Sequence, residues 1–306
     1  MKNKETKQVK KYPHEALENI ENVRAGFYQK FKTHDTMKKV VFAVCFIGMI
    51  AGLVIGLRIG GKTMSFFTIG LPLIMLGIML VYGVIVKRFM DSKMREFFKI
   101  YYKGINEYVL SNKDIKDVML CEPGKISKEE FINNKIYKDI FEVGSRGKTE
   151  FTYKKLHMYV ADCAAQIKGN KRIYPVFVGK YLECPAKVKD VEPTIVYLKG
   201  TGTVLPPTNI DGMKVVLDNK TMVIYSNSKN WKTTISPKII KLLEEIKTNK
   251  LLVDFTISVH NKKAYVCMGY DDPIMVPPFM SEFDPAANIQ YKGELEKVLK
   301  VVEALN

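Results

Sequence analysis

Two long apolar runs stand close together near the start of this chain, and they constrain it more than any other feature. Val40 to Leu57 is eighteen residues without a charge, and Thr63 to Val86 is twenty-four. Only Arg58, Ile59, Gly60, Gly61 and Lys62 separate them. A hydrocarbon layer of roughly 30 Å takes about twenty helical residues to cross, and lipid offers the backbone no hydrogen-bond partners outside a helix or a closed barrel. The pattern predicts a transmembrane hairpin over 40–86, with helices at 40–57 and 64–86. The first run starts at residue 40, after a charged stretch, with no small-residue cleavage site behind it, so it is expected to stay in the mature chain.

Charge sets the expected orientation. Arg24, Lys30, Lys32, Lys38 and Lys39 precede the first run; Lys87, Arg88, Lys93, Arg95, Lys99 and Lys103 follow the second. The connection holds only Arg58 and Lys62. Basic residues gather on the cytoplasmic side of spanning helices, so both termini are expected in the cytoplasm, with a short turn outside. The expected localisation is the cytoplasmic (inner) membrane, multi-pass. The chain carries 48 Lys+Arg against 32 Asp+Glu, net +16. The first 112 residues hold 18 basic and 8 acidic residues, and the remainder holds 30 and 24. Charge concentrated at the anchor suits an anionic inner leaflet. Nucleic acid is not expected as a partner, because arginine, the usual reader of phosphates and base edges, occurs only six times.

Gly48, Gly52, Gly56 and Gly60 recur at intervals of four and fall on one helix face. Small residues in that register let helices pack closely in lipid. The expected partner of this face is the second run, with Gly70, Gly77 and Gly83, or another copy of the chain. Pro72 is expected to kink or cap the second helix. Neither run carries a charged side chain, which argues against an ion pathway through the hairpin. Gly56 to Thr63 fits the phosphate-loop pattern G-x-x-x-x-G-K-[ST], but that motif works between a buried strand and a helix N-terminus, not in the outer turn of a hairpin. Gly147-Lys148-Thr149 lacks its first glycine, since Glu142 stands there.

On the cytoplasmic side, residues 1–39 read as a lysine-rich tail and an amphipathic helix on Leu17, Ile20, Val23, Phe27 and Phe31. Residues 87–112 read as a juxtamembrane extension of the second helix. These extensions are expected to pack on each other or on the following domain, the alternative being that they lie on the leaflet. Residues 113–306 read as one α+β domain, mostly antiparallel sheet with flanking helices. Ser127-Lys-Glu-Glu130 is a capping box opening a helix to about Lys135. Strands are expected at 141–143 and 149–159 around a Gly144–Gly147 turn, then at 174–182, 194–198, 214–217 and 222–225. A helix from Ser236-Pro237 follows, then a 251–259/263–268 hairpin about His260-Asn261, and a helix over 291–305.

Five cysteines (45, 121, 163, 184, 267) show no C-x-x-C spacing, so neither disulfides nor a zinc site is indicated. The sharpest enzymatic arrangement is a Cys163 nucleophile with His157 as base. Six residues apart on a straight strand leaves them about 20 Å from each other, so no catalytic residue is assigned. His260 reads as a solvated turn residue. Asp271 and Asp272 alone make a weak cation site. No cofactor and no metal is expected. The apolar strip with Met275, Phe279, Met280 and Phe283 reads as an outer layer of the core, with a lid or a docking segment as the other readings.

Short stretches carry a resemblance over roughly 126–268 and the preceding helix pair. They are Ile126-Ser-Lys-Glu-Glu-Phe131, Gly147-Lys-Thr149, Leu156-His157, Phe177-Val-Gly-Lys-Tyr181, Val223-Ile-Tyr-Ser226 and Thr234-Ile-Ser-Pro237. In this order the chain resembles the uncharacterised bacterial membrane family known as domain of unknown function 3137. That family tends to have acidic and arginine residues after the Tyr-Ser pair, where Asn227, Ser228 and Lys229 stand here. The resemblance implies an anchored cytoplasmic domain and supplies no catalytic residues. The expected function is therefore a membrane-anchored module binding a protein partner or ligand. The alternatives are a tethered enzyme with a site assembled from distant residues, and a small assembly subunit self-associating through its glycine face.

Overall fold

The computed structural model describes residues 12–59, 63, 65–122, 124–170, 172–200, 212–247, 251–270 and 277–306. Gly60, Gly61, Lys62, the lysine-rich tail to residue 11, Asp271, Asp272 and Met275 lie outside the described residues. The fold is α+β: two long apolar helices on the N-terminal side, then a nine-stranded antiparallel sheet with helices. The chain divides into two compact units, one of 18–101 with 278–283 and one of the remainder.

In the helical unit the amphipathic stretch and the first apolar run form one helix, α1 (Glu15–Ile59). A π-helical turn at Phe66–Gly70 leads into α2 (Leu71–Val109). Pro72 is the second residue of α2 and has no N–H to give the preceding turn, so the hydrogen-bond ladder loosens to the wider π pattern just ahead of it. Both helices are long and apolar enough to cross a membrane. The charged extensions pack on each other. Phe27 meets Phe97 edge-on at 6.2 Å, and the rings of His34 and Phe89 lie 4.4 Å apart. Phe279 adds edge contacts to Phe31 and Phe97, and the Phe283 amide donates to Glu21 at 2.9 Å. Phe279 and Phe283 are thus core residues of this unit, while Met280 is exposed.

In the sheet unit the strands are β1 (Ile115–Leu120), β2 (Ile140–Tyr153), β3 (Leu156–Lys168), β4 (Ile173–Pro185), β5 (Thr194–Leu198), β6 (Val215–Asp218), β7 (Met222–Ser226), β8 (Leu252–His260) and β9 (Lys263–Tyr270). Their order is β1-β2-β3-β4-β9-β8-β5-β7-β6, every neighbour antiparallel. Side-chain alternation gives the sheet two covered faces. One carries Cys163, Phe177, Tyr181 and Cys267 beneath Phe131 of α3 (Lys128–Ile132), and continues into Ile195, Tyr197, Val223 and Tyr225. The other carries Asp162 and Lys180, with Tyr291 and Glu294 of α6 (Ala286–Ala304) against it. Two shorter helices, α4 (Trp231–Thr234) and α5 (Pro237–Glu244), lie between β7 and β8 in sequence.

Four sequence expectations are corrected. Gly144 to Gly147 is not a turn: β2 runs through it, with a bulge where the register jumps from Arg146–Asp162 to Thr149–Val160. Gly147 has φ +65° there, the left-handed backbone a bulge asks of glycine. The hairpin turn is Lys154-Lys155, both at positive φ. The β8–β9 turn is Asn261-Lys262, one residue later than expected. A one-residue shift moves a side chain from solvent to core, so His260 is buried rather than a solvated turn residue. The capping box does form: Ser127 Oγ accepts from the Glu130 amide at 3.1 Å, and Glu130 accepts from the Ser127 amide at 2.7 Å. Its helix ends at Ile132, short of Lys135.

Candidate functional site

Among the described residues, Gly48, Gly52 and Gly56 of α1 lie against side chains and, at Gly52 and Gly56, also against the backbone of Phe67 and Thr68, not against other glycines. A Cβ on Gly48 would stand 3.2 Å from Met75 Cε, one on Gly52 2.9 Å from Leu71 Cδ2, and one on Gly56 2.5 Å from Thr68 Cγ2. The three glycines are holes into which the π turn and the start of α2 seat Thr68, Leu71 and Met75. Among the described residues, Gly70 meets only Phe66 of the same turn, and Gly77 has nothing within 4 Å.

The structure does not bring His157 and Cys163 together as a pair. They sit at different points of β3; the His157 side chain is 69% exposed, with Glu150 at 3.8 Å, while Cys163 is buried. Burial raises the Cys163 thiol well above its ordinary range, so it stays protonated and inert. All five cysteines are free. Among the described residues no group of three or more His, Cys, Asp or Glu could hold a metal ion.

The residues that sequence reasoning missed lie on β8. Asp254, Thr256, Ser258 and His260 occupy alternate positions and so share one face, and none is more than 8% exposed. Across the ladders stand Gly269, Cys267 and Tyr265 of β9, and Tyr197 and Ile195 of β5. Gly269 makes room for the carboxylate beside it, since a Cβ there would come within 2.8 Å of Asp254 Cβ. The Thr256 hydroxyl donates to Asp254 Oδ1 at 3.3 Å. Burial pushes the Asp254 carboxyl up to about 6, against the lowering influence of the Tyr197, Thr256 and Tyr137 hydroxyls. His260 stacks on Tyr265 at 5.2 Å, and burial lowers its pKa.

Among the described residues, Ser258 Oγ and His260 Nε2 are buried without a hydrogen-bond partner, while the Tyr137 and Tyr197 hydroxyls are buried beside the Asp254 carboxyl. Each such group costs about 1–3 kcal/mol unless water or a ligand satisfies it. With the two tyrosine hydroxyls they make a buried strip of donors and acceptors around one carboxyl whose pKa burial raises to about 6. It holds no activated nucleophile, because burial also keeps the Cys267 thiol protonated. The sequence sign was a D-x-T-x-S-x-H alternation, a pattern that reads as an ordinary solvent face until the strand proves covered on both sides.

The opposite face holds a buried charge network. Lys180 pairs with Asp162, Tyr102 donates to the other Asp162 oxygen at 2.9 Å, and Lys180 Nζ lies 5.0 Å from the centre of the Tyr291 ring. Tyr270 and Gln290 both donate to Glu294 at 2.5 Å. Two acids and one lysine partnered in this way tie α6 and Tyr102 to the sheet.

No protein-family model matches the chain, and no curated protein matches it. Among solved structures, the chain is similar to the mycobacterial trehalose monomycolate transport factor A, TtfA, at 9% identity over 67% of this chain and 94% of that one. The TM-score is 0.39, a likeness too distant to carry a functional argument.

Proposed function

We propose that this protein is a membrane-anchored binding module, a two-pass protein of the cytoplasmic membrane with both termini inside. Its sheet domain engages a polar ligand or a protein partner and performs no turnover. One observation carries the reading: the apolar helices turn their side chains outward. Ile47 is 65% exposed and Leu57 71%, and none of the most apolar window of the second helix is buried. Water-soluble chains rarely expose apolar surface so continuously, whereas a bilayer requires it. The basic flanks support the orientation, and the strip on β8 supports a ligand more than a reaction. Membership of the family of domain of unknown function 3137 belongs to the same proposal.

The test is crosslinking of the full-length chain in cells, with mass spectrometry, beside a version cut after Asn112. A stoichiometric partner lost with the sheet domain supports the reading. Self-crosslinks alone, surviving the cut, would move the function to the helix pair. Robust turnover by the full-length protein, abolished by one substitution, would favour an enzyme.

A further inference from the structure

Resting on the membrane reading above, we infer that the groove between α1 and α2 at the basic end of the apolar runs is a binding site for one anionic phospholipid. The groove has a volume of about 520 Å³, within the usual range for small-ligand pockets. Its walls are apolar, with Phe42 on α1 facing Met79, Leu80 and Val84 on α2. Gly83 opens the middle: even a methyl there would stay 3.8 Å from the Phe42 ring. At the rim stand Lys38, two residues before the first apolar run, and Lys87, the residue after the second. Both are therefore level with the end of the hydrocarbon segment, where lipid phosphates lie.

The charge balance at this rim selects the headgroup. Asp35 also lines the groove, but it is paired with Lys39 at 2.7 Å, and Lys93 is paired with Glu96 at 2.7 Å. Lys38 and Lys87 have no carboxylate partner among the described residues; Lys38 lies 5.5 Å from the centre of the Phe42 ring. Two uncompensated ammonium groups over an apolar trough fit a phosphate above an acyl chain. A zwitterionic lipid would add a cation to the same rim.

The experiment places the full-length protein in nanodiscs of equimolar phosphatidylcholine and phosphatidylglycerol, after carbonate extraction has scored anchoring. Native mass spectrometry then counts the lipids it retains. Wild type is expected to retain one phosphatidylglycerol in preference to phosphatidylcholine. K38Q and K87Q should each cut the preference about fivefold, the weight of one lysine near an anionic surface. Gly83→Leu should lower retention of both lipids by filling the trough. Equal retention of the two lipids by wild type, a preference unchanged in the double lysine variant, or a lipid-free dimer seated on this face would overturn the site while leaving the anchor intact. Release of the wild-type chain by carbonate would overturn both.

Discussion

Tyr102 reaches two partners in the sheet unit at once: its hydroxyl donates to Asp162 Oδ2 at 2.9 Å, and its ring lies where a Cβ on Gly147 would come within 2.6 Å. Gly147 is thus required twice, for its φ of +65° and for the space beside the ring. Gly147→Ala should destabilise the sheet unit by about 2–4 kcal/mol, from left-handed backbone strain and overpacking together. Trp231 is the chain's single tryptophan and belongs to this unit. Its fluorescence during urea unfolding of the detergent-solubilised protein reports the change. A midpoint equal to wild type would mean that the bulge relaxes freely.

Lys180 and Asp162 are both buried to within 5% of full burial. Removing one partner leaves the other charge stranded, a loss of about 3–5 kcal/mol, whereas replacing both by apolar groups is often close to neutral. Lys180→Met should therefore weaken the domain severely, and adding Asp162→Leu should recover most of the loss. The same fluorescence unfolding run as a double-mutant cycle decides it. Additive losses would show that the pair is not energetically coupled.

The helix pair and most strands were legible because periodicity is a strong sign wherever burial is one-sided, and the capping box and Ser236-Pro237 announced their helices. The β2–β3 hairpin was not legible, because Lys154-Lys155 carries none of the residues that normally mark a turn with two positive φ values. Gly144 and Gly147 drew the turn to themselves although only a bulge needed glycine. β1 was missed because its pattern is mostly exposed on a sheet edge. The β8 strip stayed hidden for the opposite reason: polar residues at every second position look solvated, and only the tertiary cover buries them.

That unusual turn carries its own prediction. Lys155 holds φ +72° with a side chain that disfavours it, while Lys154 pairs with Glu303. Lys155→Gly removes the strain and leaves the ion pair in place. It should stabilise the sheet unit by up to about 1 kcal/mol after glycine's larger unfolded-state entropy is counted. Thermal unfolding followed at Trp231 is the measurement, and a clear drop in midpoint would contradict the strain argument.

The glycine holes of α1 predict how the helix pair fails. Gly56→Leu puts a branched side chain where a single Cβ would already be 2.5 Å from Thr68 Cγ2. The helices should separate at that end while the apolar runs remain intact. Spin labels at the exposed positions Leu57 and Leu73, in a Cys121→Ser background, should report a longer and broader distance in the variant than in the parent. An unchanged distance would place the tolerance in a rotation of α1.

Asp254 ties the β8 strip to pH. Its folded pKa of about 6 lies above the ordinary 3.8. Between those values the folded chain keeps a proton that the unfolded chain has lost, so stability falls as pH rises through the interval and levels off above it. Two units correspond to about 3 kcal/mol. His260 acts in the other direction, since its lowered pKa withdraws stability as pH falls below its ordinary 6.5. The wild-type curve is therefore a sum, and the difference from Asp254→Asn isolates the carboxyl. Asparagine keeps the shape and removes the charge. The variant should be more stable than wild type near neutral pH, by about 2–3 kcal/mol, with the gap closing towards about pH 4. A variant less stable than wild type near neutral pH would mean that the carboxylate is held as an anion in the folded protein by the hydroxyls around it.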